Sequence, residues 1–269
     1  MNKRPIGIFD SGVGGLTVLS EIKKRLPNEN FIYLGDTKNF PYGSKSKEQI
    51  IEFSIKNTEK LINLGAKCIV IACGTATSQA IDVLQEKFDI PVIGIIEPTV
   101  KYIKQQNATR IGVIATEGTI KSGSWENTLK KQIDNIEVIN KACPMLATIA
   151  EEGRATSEEG RTAIKEYMQP FKKNKIDKII LGCTHYPIYQ KLIREELGYP
   201  VELINTGVTV SNELLEYLKI NNVLNTENGG EDIIFLTKPE EEFKLIAKNL
   251  LNFDIEIRQI TWHIRILRI

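Results

Sequence analysis

Four short polar clusters carry the side chains best suited to chemistry: Asp10-Ser11-Gly12, Gly35-Asp36-Thr37, Cys73-Gly74-Thr75 and Cys183-Thr184-His185. Each follows a short apolar run, the point at which a strand of a parallel sheet hands its loop to a ligand cleft. Cys73 and Cys183 each end such a run and precede hydroxyl or imidazole groups, which favours a reactive thiol over a packed one. Two thiols facing one cleft suit racemisation: one removes a proton from one face of a carbon and the other returns a proton to the opposite face. A thiol of ordinary pKa ~8.5 is tuned toward thiolate by helix N-termini, donors or an imidazole, so one can act as base while its partner stays protonated. His185 is placed to tune the Cys183 side and Asp10 to relay protons on the other. Taken singly, Asp10 has a plainer reading as a cap or turn former and His185 as a packing residue. Cys68, inside an apolar run, and Cys143, followed by Pro144, read as structural. The FDSGVGGL segment approaches a dinucleotide fingerprint, but Thr17 stands at the third glycine position. Such a turn, leading into a helix through Leu19, Ile22 and Leu26, suits a small anion such as a carboxylate instead.

These clusters must be positioned by the apolar runs before them, at 6–9, 31–34, 68–72, 92–95, 111–114, 136–139, 178–181, 201–204 and 233–236. Nearly continuous apolar strands alternating with helical stretches predict an α/β fold with mainly parallel sheets covered on both faces. One helix is marked by a Ser46/Gln49 capping box, by Ile51, Ile55, Thr58 and Ile62 on one face, and by Gly65 as its stop. IGIFDSG at 6–12 is echoed by IGVIATEG at 111–118, and IVIAC at 69–73 by IILGC at 179–183, offsets of 105 and 110 residues. The echoes predict two similar doubly wound domains with the active site in the cleft between them. Punctuation at Gly94–Pro98 and Asn205–Gly207 places the first domain at 1–97 plus 207–269 and the second at 98–206. Beyond Glu256, Ile260, Trp262, Ile264 and Ile266 alternate as in a terminal strand, whose Arg258, Arg265 and Arg268 read as a solvated face.

Composition narrows the function. The 269 residues include 35 Lys+Arg and 34 Asp+Glu, a net charge of +1, with 42% hydrophobic and 26% charged residues. That is an ordinary globular balance, not a basic platform for nucleic acid. No apolar run approaches the ~18 residues of a membrane span, and Asp10 interrupts the N-terminus before a signal-peptide core develops. A cytoplasmic protein with reduced thiols is expected. The four cysteines form no CxxC pair and no Cys/His cluster of metal-ligand spacing, so no metal is expected.

Six segments together resemble the glutamate racemase family: GIFDSGVGGLTV at 7–18, GDTKNFPYGSKS at 35–46, IACGTATS at 71–78, GIIEP at 94–98, IGVIATEGTIKS at 111–122 and LGCTHYP at 181–187. The resemblance implies a cofactor-independent isomerase that interconverts L- and D-glutamate and supplies D-glutamate for peptidoglycan. It implies that Cys73 and Cys183 are the acid–base thiols, that Asp10 and His185 assist them, and that Asp36 and Glu151 are auxiliary. Substrate carboxylates and ammonium would be held by Ser11, Pro41, Tyr42, Gly43, Thr75, Thr116, Thr119 and Thr184. A homodimer is compatible with it. One position departs: the family has Asn after the first cysteine, and this chain has Gly74. An amide bonded to a charged group contributes ~1.5–3 kcal/mol, so its loss would cost roughly tenfold to a hundredfold, and Gly74→Asn is expected to improve turnover. The alternatives are a racemase of aspartate or another acidic amino acid, and a non-catalytic amino-acid-binding protein. The GDTKNFPYG segment favours glutamate, and two retained thiols argue against a mere binder.

Overall fold

The computed structural model describes residues 2–227, 232–239, 241–251 and 256–260. Its first stretch alternates β1 (Ile6–Asp10), α1 (Leu16–Arg25), β2 (Phe31–Gly35), α2 (Lys47–Asn63), β3 (Cys68–Ile71), α3 (Gly74–Lys87) and β4 (Val92–Gly94). After α4 (Ile96–Gln105) come β5 (Arg110–Ala115), α5 (Glu117–Lys121), α6 (Ser124–Gln132), β6 (Glu137–Ala142), α7 (Pro144–Glu151), α8 (Glu158–Tyr167), α9 (Gln169–Asn174), β7 (Lys178–Leu181), α10 (Gln190–Leu197) and β8 (Glu202–Asn205). The last elements among the described residues are α11 (Thr206–Ile220), β9 (Ile233–Leu236), α12 (Glu241–Leu250) and β10 (Glu256–Gln259).

The strands form two sheets, ordered β10-β9-β2-β1-β3-β4 and β6-β5-β7-β8, with every pairing parallel. The runs β2-β1-β3-β4 and β6-β5-β7-β8 have the same topology. The sequence echoes therefore fall on equivalent strands, β1 with β5 and β3 with β7, and the chain is built of two similar doubly wound α/β domains. Every residue of β1, β2 and β3 is buried, which is why these strands read as continuous rather than alternating apolar runs. One apolar cluster runs from Ile6 and Val70 through Val100 and Leu214 to Val113 and Ile180, so residues of both sheets share a core.

Helix α2 keeps its predicted ends: Ser46 and Gln49 form the reciprocal capping box, and Gly65 stops the chain at φ 91°. Its buried face is rotated from the expected one. Ile50, Ser54, Asn57, Thr58 and Leu61 point inward, while Ile51, Ile55 and Ile62 lie half-buried on the flank. The inner face carries polar groups because Asn57 Nδ2 donates to the buried Tyr42 hydroxyl at 3.1 Å, a partnership invisible to apolar periodicity. A strand, β10, covers Glu256–Gln259, ahead of the expected alternation: Ile260 follows it, buried but outside the strand, and Arg258 is exposed and paired with Glu256. Trp262, Ile264, Arg265, Ile266 and Arg268 lie outside the described residues. Among those described, no helix is long and apolar enough to cross a membrane.

At the opposite end of the first sheet from the polar clusters, Lys67 and Glu29 form an ion pair at 2.6 Å with side chains 2% and 1% exposed. Lys67 Nζ also donates to the Asn2 and Val223 carbonyls, and Glu29 Oε1 accepts from the Asn225 amide. The pair thus ties the N-terminus, β3 and the segment after α11. Removing one member strands the other in low dielectric, so Lys67→Met is expected to cost about 3–5 kcal/mol in urea unfolding. Breaking the exposed Lys56–Glu52 pair by Lys56→Met should leave the midpoint unmoved.

Candidate active site

The carboxyl ends of β1, β3, β5 and β7 converge on one small cavity of about 80 Å³. Cys73 and Cys183 both line it, Cys73 from the first sheet and Cys183 from the second. Cys73 is the N-cap of α3, in extended conformation, and the free amides of Thr75 and Ala76 face its sulfur. Burial pushes this thiol well above its ordinary range, the Asp10 carboxylate adds to the rise, and the two amides oppose it. Ser11 Oγ stands 4.0 Å from its Sγ. Cys183 leaves β7 through Gly182, and its Sγ lies 3.5 Å from His185 Nδ1.

The other ring nitrogen of His185, Nε2, is 2.7 Å from Glu151 Oε1, and the same oxygen accepts the Val13 amide at 2.7 Å. Burial alone opposes the imidazolium, but hydrogen bonds and charge from the Cys183 sulfur and Glu151 outweigh it, raising the His185 pKa well above 6.5. The glycine-rich turn is what admits this arrangement. A Cβ on Gly12 would lie 2.1 Å from Glu151 Oε1, and one on Gly14 would lie 2.6 Å from His185 Cε1 and 2.6 Å from Thr184 Oγ1. The turn does receive a carboxylate, and it is the protein's own. Thr17, the residue that spoils the dinucleotide fingerprint, donates to the Gly14 carbonyl at 2.9 Å and the Thr184 carbonyl at 2.8 Å. It stitches the turn after β1 to the loop that carries Cys183.

Asp10 is fully buried behind the cavity, its oxygens accepting the Gly12 amide at 3.0 Å and the Thr184 hydroxyl at 3.2 Å. Burial raises its pKa from 3.8 to about 6, against the pull of His185 and the Gly12 amide. On the far wall, the hydroxyls of Thr75, Thr116 and Thr119 close a ring of contacts at 2.9, 2.8 and 3.2 Å that joins α3 to the start of α5. Each hydroxyl has a single hydrogen, so a carboxylate entering the cavity would be bound only by drawing a donor of Thr75 or Thr116, the two that line the wall, out of this ring.

Of the residues singled out by sequence, Ser11, Pro41, Tyr42, Gly43, Cys73, Gly74, Thr75, Thr116, Cys183, Thr184 and His185 line the cavity. Asp10, Thr119 and Glu151 stand behind that lining and bond to it. Asp36 does not face the cavity: it is buried beneath Tyr42, whose hydroxyl donates to it at 2.6 Å. Phe40, Ser44, Glu117, Pro144, Ala147 and Thr148 complete the wall and were not anticipated. Phe40 packs its ring on His185 with centroids 5.8 Å apart. Of the α7 wall residues, Pro144 and Ala147 carry no chemistry-bearing type and Thr148 stands away from any strand end, so nothing in the sequence marks them. Cys68 and Cys143 are buried away from this cavity, Cys143 Sγ facing the Lys141 carbonyl, as their structural reading expects.

The expectation for Gly74 needs correction. A Cβ at this position would lie 2.2 Å from the Gly182 carbonyl oxygen, a backbone atom of the opposite sheet's turn. Asparagine there does not simply restore an amide. It forces the start of α3 and the turn before Cys183 apart.

Comparison with known proteins agrees with this geometry. The model of the Asp/Glu/Hydantoin racemase family matches residues 14–210. The glutamate racemase of Lactococcus lactis subsp. cremoris is 41% identical, over 94% of this chain and 93% of that protein. A crystal structure of a glutamate racemase isoform from Bacillus anthracis superposes with a TM-score of 0.92 at 36% identity, covering 97% of this chain and 98% of that one. The glutamate racemase of Francisella tularensis, solved with D-glutamate, gives a TM-score of 0.91 at 35% identity and covers 98% and 99%.

Two stability measurements check the site as built. Gly74→Ala, which at an open helix position would be neutral or stabilising, is expected to destabilise by about 1–3 kcal/mol because of the Gly182 carbonyl, and Gly74→Asn by at least as much. A gain in either would mean that the two turns separate freely. Asp10 binds its proton more tightly folded (pKa about 6) than unfolded (3.8), so it costs the fold nothing at pH below 3.8 and its full penalty above 6, about 3 kcal/mol. Denaturant curves should therefore show Asp10→Asn gaining on the parent by up to that amount between pH 4 and pH 8, and a difference independent of pH would refute the buried, proton-retaining carboxylate.

Proposed function

The chain belongs to the Asp/Glu/hydantoin racemase family, and from that premise we propose that it interconverts L- and D-glutamate without a cofactor, supplying D-glutamate for peptidoglycan biosynthesis in the cytosol. One observation carries the reading: two thiols, one from each sheet, line the same small cavity, each with its own proton-handling surroundings. Glutamate is preferred to aspartate because the relatives more than 30% identical, described above, are glutamate racemases, one of them holding D-glutamate.

The chemistry balances on the two sulfurs. A thiolate takes the α-hydrogen as a proton, forming S–H while the electron pair of the C–H bond stays on the α-carbon, delocalised into the substrate carboxylate. The opposite thiol then gives its proton to the other face, forming the new C–H bond and leaving a thiolate. In the reading carried over from the family, Cys183 takes the proton of L-glutamate and Cys73 that of D-glutamate. The amides of Thr75 and Ala76 stabilise negative charge on Cys73, while His185, held by Glu151, moves a proton to or from Cys183. Asp10, buried behind the cavity, assists on the Cys73 side by relaying protons. Ser11, the Pro41–Gly43 turn, the three-threonine ring and Thr184 hold the carboxylates and ammonium.

The test is deuterium incorporation at the α-carbon in heavy water, with dialysed protein, chelator and a carbonyl-trapping reagent present. The parent should label both enantiomers of glutamate and not aspartate. Cys73→Ser and Cys183→Ser should each lose racemisation by about 100-fold to 10,000-fold, with Cys183→Ser retaining exchange of D-glutamate and Cys73→Ser of L-glutamate. Folded variants that both racemise at the parent rate would overturn the two-thiol mechanism. Labelling of aspartate alone would favour the other acidic substrate, and no labelling of either would favour a binding protein.

A further inference from the structure

Asp36, which the cavity does not use directly, is the centre of a clasp between distant parts of the chain. Its carboxylate is fully buried and accepts hydrogen bonds from the Tyr42 hydroxyl at 2.6 Å, Asn39 Nδ2 at 2.9 and 3.1 Å, and Thr237 Oγ1 at 2.8 Å. Thr237 immediately follows β9, which pairs in parallel with β2, the strand that ends beside Asp36. Its hydroxyl has a fixed sense: it donates to Asp36 Oδ1 and accepts the Lys38 amide at 3.0 Å. The neighbouring residues reciprocate, since Thr37 Oγ1 donates to the Lys238 carbonyl at 2.6 Å and accepts the Lys238 amide at 3.0 Å. Four hydrogen bonds thus lock the turn after β2 to the turn after β9, 200 residues later in the chain.

The locked turn leads directly into the cavity wall formed by Phe40 to Ser44. Tyr42 is 1% exposed, and its hydroxyl points down to Asp36 instead of into the cavity, with Asn57 donating to it from α2. Burial and the adjacent carboxylate hold this phenol protonated, as a donor must be. The next residue, Gly43, packs against Thr116 so closely that a Cβ would lie 2.7 Å from Thr116 Cβ. The backbone beside Tyr42 thus lies directly against the threonine ring. We propose that Thr237 is a positioning residue for the reaction: through Asp36 it sets Tyr42, and through Tyr42 the substrate-holding wall from Phe40 to Ser44. The inference rests on the glutamate reading for its kinetic test but not for its structural one.

In Thr237→Val the shape is kept while the donor to Asp36 and the acceptor for Lys38 are lost. For the purified full chain, kcat/KM for glutamate is expected to fall about tenfold, mainly through KM, and Thr237→Ser to stay within about twofold of the parent. In a Tyr42→Phe background the same Val substitution should cost clearly less than in the parent, about twofold, because the route through Asp36 is already cut and only the Lys38 contact is left to lose. Hydrogen exchange read on residues 38–44 should speed up in Thr237→Val and not in Thr237→Ser. Should valine prevent folding, Thr237→Ala carries the same comparison. An unchanged KM in folded Thr237→Val, or an equal cost in the Tyr42→Phe background, would overturn the positioning role. Exchange at 38–44 indifferent to the loss of the hydroxyl would overturn the clasp even if the parent proved inactive on glutamate, a result that would separately reject the proposed substrate.

Discussion

The carboxylate of Glu151, held between the Val13 amide and the His185 imidazole, is the interaction on which the site depends. It joins a helix of the second sheet to the first turn of the chain and fixes the face that His185 presents to Cys183. Its geometry dictates sequence on both sides. Gly12 and Gly14 are required because any side chain would occupy the space of the carboxylate and the imidazole. Thr17 and Asp10 add further bonds to the Thr184 loop, so the turn after β1 is less a ligand cradle than a socket for the opposing half.

This socket explains why the two sulfurs differ although the halves share a topology. Cys73 meets charge with backbone: two helix amides against a penalty of burial and a nearby carboxylate. Cys183 meets it with a titratable side chain braced by a second one. A buried ionised group needs compensation, and a helix N-terminus and an imidazolium are two kinds that a thiol can use at neutral pH. The shared topology therefore supplies equivalent strand ends, and the loops that follow them surround each thiol differently.

Much of this was legible in the sequence because parallel strands buried on both faces leave uninterrupted apolar runs, and because loops at their carboxyl ends carry the polar residues. Nine runs became nine strands, and the echoes at β1/β5 and β3/β7 marked the shared topology. What stayed hidden involves partners far apart in the chain. Glu151 contacts a residue 138 positions away, and Asp36 one 201 positions away, so their environments have no local signature. The inner face of α2 was misjudged by about one residue because Asn57 is buried for a hydrogen bond and not for apolarity. Gly74 looked like a lost amide. The cost of any Cβ there is set by a carbonyl of the other half, which only the fold brings near.

His185, buried between a sulfur and a carboxylate, keeps its proton well above the ordinary histidine range. The chain has only two histidines, His185 and His263, so nitrogen-15 resonances of labelled imidazoles can be assigned with a single His263→Gln variant. Followed by NMR as pH is raised, both ring nitrogens of His185 should retain the imidazolium signature well past pH 6.5, and Glu151→Gln should bring the midpoint down. A His185 midpoint at or below 6.5 in the parent, or one that Glu151→Gln leaves in place, would contradict the account.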